Sequence, residues 1–372
     1  IVFNEANYPH FTELLREIGV ASRPTSMSFG VSIGEPDLEY RGEAKEGGRG
    51  IDWGGLFAQK RNLARPGFWR MVRDIVRFRK VAPCALAATD DSTTVAEFLA
   101  KHRFSSEFAD FYLVPLGAAL WSCPPGTFRR FPMRFVAEFL ANHHMLALGE
   151  RPVWRTIVGG SREYLGPLSA PFAQRIRTST PVRQVRRTPE GMLVDTPHGT
   201  ERFDRVVLAC HADTALRILA EPLPEEREVL SAFPYQKNTA ILHNDPSVLP
   251  RRREAWSSWN YAAASVSDER ATVSYWMNSL QGIDDPTPYC VTLNEDDRID
   301  PSKVLRRIDY DHPVYTASRQ AAWAKREQFV DFHGVSYCGA YWGYCFHAEG
   351  VRSGLVVAAA IEAATEAGGA AV

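Results

Sequence analysis

The sequence predicts a mixed α/β chain built from two interleaved kinds of material. Strand–turn–helix pieces with short, continuous apolar strands occupy both ends and the middle. Helix-rich stretches and aromatic, alternating strands fill the intervals between them. With 372 residues the chain has length for about two domains, so the alternation implies two domains that the chain crosses several times, with a cleft between them.

Bulk composition narrows the function classes. With 45% hydrophobic and 23% charged residues and a net charge of −1, the chain has no global polyanion signal, and no nucleic-acid partner is expected. Six cysteines are scattered without a CxxC pair, which points to reduced thiols and a cytoplasmic setting. No apolar run reaches the ~18 residues that a membrane span needs.

Taken in order, Tyr8 to Val20 reads as a compact helix, with Pro9 in its first turn and Gly19 as its stop. Thr25 to Ile33 alternates as a strand, and Leu38 to Gly55 is a glycine-rich hairpin whose Gly47-Gly48-Arg49-Gly50 lacks the flanks of a phosphate loop. Residues 56–150 are mostly helical. Within them, 67–80 places Phe68, Met71, Val72 and Ile75 on one face and Arg70, Arg73, Arg77 and Lys80 on another. Such a basic helix either lies peripherally on the inner face of a membrane or simply keeps a solvated face. Further helices are expected over Thr94–His102 and Pro132–Met145. Cys123 reads as a buried thiol, and His143-His144 cannot share one metal from a helix.

Beyond Trp154, Gly159-Gly160-Ser161 precedes a helix over 162–172. Residues 175–177 and 182–187 read as strands, 192–203 as a hairpin about His198-Gly199, and 204–210 as a buried apolar strand. A helix opens at His211, with Asp213 as its cap. Four aromatic-rich strands follow (239–243, 256–262, 271–277, 289–293), then a helix over 316–328. The stretch from Tyr337 to Gly354 carries four glycines, at 339, 343, 350 and 354, between an apolar run and an Ala/Val-rich helix. A helix starting at Gly350-Val351 would aim unpaired N–H groups at a bound electron-rich group. A plain packing turn is the alternative.

With these pieces in place the chain resembles the flavin-dependent amine oxidase and phytoene desaturase superfamily, and most of all its bacterial branch of predicted NAD/FAD-binding proteins. The resemblance rests on Ile1–Val20, on Gly159-Gly160-Ser161 with Thr180–Val185 and Asp204–Cys210, and on the 337–354 stretch. The branch wording includes Gly55–Leu63, Trp121-Ser122-Cys123-Pro124 and Tyr341-Trp342-Gly343-Tyr344. It implies a Rossmann-like FAD-binding domain over 1–21, 152–219 and 330–372, interleaved with a substrate domain of antiparallel sheet plus helices over 22–151 and 220–329. The family's G-x-G-x-x-G fingerprint would lie upstream of residue 1, so the first βαβ unit is expected to be missing and the chain N-terminally truncated.

The resemblance further implies FAD as cofactor. Val182 would contact its adenine side through the backbone, Ala209 and Cys210 would flank it, and Gly339 and Ala340 would lie by the ribityl–pyrophosphate. Gly350 and Val351 would give amides to the pyrimidine edge, and Ser353 and Gly354 would keep the helix close. Ala340 stands where the family often has an acid, and Lys237 aligns poorly with the lysine that its amine oxidases carry near the flavin. The expected activity is hydride removal from a small-molecule or lipid substrate, with fatty-acyl oxidation or desaturation ahead of amine oxidation. Tyr341, Trp342 and Tyr344 would wall the site. His347 would serve as its acid or base or position the cofactor, with His211 and His243 as weaker candidates. A non-redox FAD-binding protein, or an inactive fragment, are the rival readings.

Overall fold

A computed structural model describes residues 2–42, 52–87, 92–146, 152–269, 272–295 and 297–369. The Gly47–Gly50 run lies outside them. The chain forms two compact units. The first comprises residues 1–7, 20–163 and 237–312, and the second 8–19, 164–236 and 313–372. Residues 220–236 and 313–329, assigned by sequence to the substrate part, belong instead to the second unit, and 152–163 to the first.

The first unit is built on a seven-stranded mixed sheet. Its strand order is Val304–Pro313, Tyr235–His243, Cys290–Leu293, Thr272–Trp276, Trp259–Ser265, Phe29–Glu35, Leu38–Gly42. From Tyr235–His243 to Leu38–Gly42 neighbouring strands are antiparallel except Trp259–Ser265 with Phe29–Glu35, which run parallel. Val31, Ile33, Leu38, Tyr40 and Tyr261 alternate onto one face and form a core with Phe68 and Met71 of the helix Pro66–Val81. That helix therefore spends its apolar face on the core, with Phe68 and Met71 at 1% and 0% exposure. Its arginines are also engaged, Arg70 with Glu107 and Arg77 with Asp74 and the carbonyl of Arg103.

The edge strand Leu38–Gly42 shows what part of the Gly55–Leu63 stretch does. Gln59 Oε1 accepts from the amide of Glu39 at 3.2 Å, and Asn62 Nδ2 donates to the carbonyl of Glu39 at 3.1 Å. Two side chains thus satisfy backbone groups that an open sheet edge would leave to a foreign strand. Glu39 itself is 1% exposed and accepts from Arg251 and Arg252.

The second unit holds a parallel pair, Val206–Leu208 with Val335–Tyr337, and a three-stranded meander, Gln184–Thr188, Gly191–Thr196 and Gly199–Phe203. Its core gathers Val185, Met192, Leu208, Leu230, Phe233, Phe329, Val335 and Tyr337. Beneath it, Glu226 is fully buried and accepts from Tyr337, Arg187 and the amide of Leu223. Each partner satisfies a carboxylate lone pair that burial would otherwise strand.

Several expectations are corrected. Residues 175–177 form no strand, because a 3-10 turn over Ala170–Arg175 occupies the start of that stretch. The helix Ala212–Ile218 begins after His211, which makes no side-chain cap bond, and Asp213 sits inside its first turn. A ten-residue edge strand, Val304–Pro313, was not expected at all; five of its central residues 305–311 are arginine, aspartate or tyrosine, so it shows no apolar alternation. Among the described residues no helix is long and apolar enough to cross a membrane.

Candidate active site

The site of interest lies in the second unit, where the parallel strands end. Cys338 continues the ladder by donating its amide to Leu208 at 3.1 Å, which sets Ala209 and Cys210 beside Cys338 and Gly339. Ala209 is exposed and Cys210, Gly339 and Ala340 are half-buried, so backbone is accessible at the carboxyl ends of two parallel strands. Open α/β sheets bind their ligands at such ends. Val182, in the loop before the meander, is 39% exposed.

Gly339 and Gly343 are required by close approach. A Cβ at Gly339 would come within 2.6 Å of the Tyr341 ring, and one at Gly343 within 1.9 Å of Glu349 Cγ. Ser353 locks the same turn to the helix that follows. Its Oγ accepts from the Gly339 amide at 2.9 Å and bonds the carbonyl of Gly350 at 2.9 Å. Ser353 is therefore an anchor of the turn, with its hydroxyl already used.

The helix runs over His347–Gly369, three residues earlier than Gly350. The Gly350 amide already bonds the carbonyl of Phe346 at 3.3 Å, and Val351 follows it inside the helix. The amides of Gly350 and Val351, expected at the pyrimidine edge, therefore lie inside the helix, and those of His347 and Ala348 are the ones that precede the first intrahelical bond. Glu349 caps this end, its Oε2 accepting from the Phe346 amide at 3.1 Å. Burial pushes the Glu349 carboxyl up. A Cβ at Gly354 would meet open space, and one at Gly350 would stand 3.9 Å from Ala340 Cβ.

His347, at the helix start, stacks on Phe11 with ring centroids 5.0 Å apart. Burial lowers its pKa to about 4, so the ring is neutral at physiological pH. Tyr341 and Trp342, expected as walls, are core side chains at 4% and 3% exposure. They pack on Phe233, and Trp342 Nε1 donates to the carbonyl of Tyr337. The Tyr341 hydroxyl is buried with no partner among the described residues. His211 stacks on Tyr235 at 4.4 Å. His243 lies in the first unit, fully buried, with one ring nitrogen at Thr292 Oγ1 and the other accepting from the Asp245 amide.

Sequence reasoning missed Arg319, which governs the turn. It is 2% exposed on the short helix Ala317–Ala324, and its Nη2 donates to the carbonyls of Tyr341 (3.3 Å) and Gly343 (2.7 Å) and to Cys345 Sγ (2.9 Å). Its guanidinium lies 3.9 Å from the centroid of the Tyr315 ring, whose hydroxyl donates to the carbonyl of Tyr344. Among the described residues no carboxylate pairs with it, and Nη1 has no partner. A lone arginine on an eight-residue helix gives no motif by which to find it.

Exposed backbone at the ends of two parallel strands beside a helix N-terminus is the arrangement of a nucleotide-cofactor-binding α/β unit, and a flavin nucleotide fits it. The sequence profile of the flavin containing amine oxidoreductases matches residues 1–254, and the chain belongs to that family of FAD-dependent oxidoreductases. Among solved structures it is similar to cyclohexylamine oxidase from Brevibacterium oxydans IH-35A (15% identity, 98% of this chain and 87% of that one, TM-score 0.65). It is also similar to putrescine oxidase bound to putrescine (14%, 97% and 87%, TM-score 0.63) and to a CLA-producing fatty acid isomerase from P. acnes (14%, 95% and 84%, TM-score 0.62). These likenesses concern the fold. No curated protein matches the sequence.

Proposed function

We propose that the protein oxidises or desaturates an apolar, lipid-like substrate, with FAD accepting the hydride. One observation in the first unit carries this reading. Leu242, Val291, Tyr275, Trp259 and Phe29 lie in register across five adjacent strands, and all five are half-buried. At ~4.8 Å per strand the stripe is about 19 Å long, the reach of a long acyl chain. The neighbouring row on the same face, Ala240, Leu293, Val273, Tyr261 and Val31, is also free of charge but buried, with Val31 and Tyr261 in the core against Phe68 and Met71.

The half-buried stripe suits an acyl chain, and none of its five residues is a carboxylate that would meet an ammonium group. Lys237, the residue nearest in sequence to the amine-oxidase lysine, is exposed and makes no bond among the described residues. The fatty acid isomerase among the similar structures adds support for this substrate class, and the two amine oxidases stand for the alternative.

Within this reading the chain's residues divide the work. Ala209, Cys210, Gly339 and Ala340 present backbone to the cofactor, and Val182 does so through its loop. The amides of His347 and Ala348 would face the flavin and favour negative charge there. His347, neutral and stacked on Phe11, orients the helix start, and its lowered pKa favours this positioning role over that of an acid or base. Trp259 and Tyr275, packed edge to face at 5.1 Å, shape the substrate surface.

Anaerobic mixing of the flavin-loaded protein with candidate substrates tests the proposal. Bleaching of the flavin by a long-chain fatty acid, and not by primary amines, is expected. Amine-dependent bleaching with peroxide release, while fatty acids leave the flavin oxidised, would overturn it in favour of amine oxidation.

A further inference from the structure

A cavity of about 220 Å³ opens in the second unit, beside the helix His347–Gly369. Val330, Tyr337, Trp342 and Val357 form its apolar floor, and Arg326 and Arg352 stand among its lining residues. Tyr337, Trp342 and Val357 are 1%, 3% and 3% exposed, so the floor belongs to a fixed core. Arg352 is exposed and makes no hydrogen bond or ion pair among the described residues. Arg326 reaches only its sequence neighbour Glu327, at 3.5 Å, and Glu327 is 82% exposed. Two guanidinium groups against one solvated carboxylate leave the rim net positive.

We propose that this pocket binds a monocarboxylate with a short aliphatic tail. At ~30 Å³ for each water-sized group, its volume holds about seven such groups, which sets the tail at about six to eight carbons. The tail fills the floor, where it leaves water, and the carboxylate meets the planar donor fork of a guanidinium at the rim. An ammonium head would be repelled by both arginines, and a bare phosphate would leave the floor unfilled. The assignment does not rest on the proposed oxidation, although the pocket shares Tyr337, Trp342 and Ser353 with the glycine turn. Ser353 forms part of its wall and also anchors Gly339, so an occupant stands directly behind that turn.

Titration of the protein with hexanoate and octanoate, read by calorimetry and by tryptophan fluorescence against Trp342→Phe, tests the assignment. Saturable binding with one site is expected, with octylamine silent. Arg352→Gln combined with Arg326→Gln, at surface positions that leave folding intact, should weaken binding at least tenfold. Val357→Phe should abolish it by filling the floor. The proposal is overturned by an absence of saturable binding, by equal affinity for octylamine, or by carboxylate binding that the double arginine variant leaves unchanged. The last result would place the ligand elsewhere, the apolar stripe of the first unit included, without touching the oxidation proposal.

Discussion

Replacing Arg319 by Met should destabilise the second unit more than any surface change in it. The substitution strips charge-assisted hydrogen bonds from the carbonyls of Tyr341 and Gly343, each worth about 1.5–3 kcal/mol. It also removes a desolvated cation–π contact with Tyr315, worth about 2 kcal/mol. Against this, methionine recovers the several kcal/mol that burying an unpaired ion costs. The balance is a net loss of about 2–4 kcal/mol, which for a unit of this size corresponds to about 4–16 °C in Tm. Arg319→Lys keeps the charge without the planar fork and should recover less than half of the loss. Urea unfolding of the three proteins gives the comparison, and amide exchange at Gly343–Phe346 should accelerate in the Met variant. A loss below ~1 kcal/mol with unchanged exchange would refute this, and would mean that Ser353 and Tyr315 hold the turn without the guanidinium.

His347 makes stability depend on pH in a defined window. Its folded pKa, about 4, lies below the ordinary 6.5. The contribution is therefore present above pH 6.5 and is lost as pH falls toward 4, amounting to at most about 3 kcal/mol. Denaturation at pH 7 and pH 4.5 should show this slope in the parent and a flatter one in His347→Gln. Gly343→Ala should cost about 1–3 kcal/mol through overpacking, because Glu349 must leave its cap on Phe346; a calorimetric melt measures it. Gln59→Ala should expose the sheet edge at Leu38–Gly42, and light scattering at raised protein concentration should show faster self-association than Lys60→Ala.

Apolar patterning made most of the fold legible. The helix Pro9–Glu17 buries Phe11 and Leu15 four residues apart, and the strands of the large sheet, Trp259–Ser265 and Thr272–Trp276 among them, are short apolar runs with consecutive buried positions, both of which are readable patterns. Where a strand buries little, the signal disappears. Val304–Pro313 is an edge strand with mostly exposed positions, and its sequence is that of a charged loop. The ends of elements were equally hard to read. Asp213 carries the residue type of a cap, yet the chain turns into the helix one residue before it, at Ala212.

The glycine stretch was legible as a turn leading into a helix, and the helix start was misread by three residues, for a physical reason. Gly350 looks like a helix start because glycine interrupts helices and accompanies close approach. The actual start is fixed by Glu349, whose carboxylate reaches back to the Phe346 amide, and by Gly343, which leaves room for that side chain. Both act through space, across a turn where Cys345 takes a left-handed φ of 63°. No residue-type rule would assign that conformation to cysteine. Arg319 holds the strained turn from a helix some twenty residues earlier, through backbone carbonyls that any sequence possesses. The register of the site is therefore set by groups chosen for shape and charge at a distance. Moving the helix start from Gly350 to His347 transfers the electropositive amides to the one histidine in the stretch, which joins the helix end and the neutral imidazole at the same point of the chain.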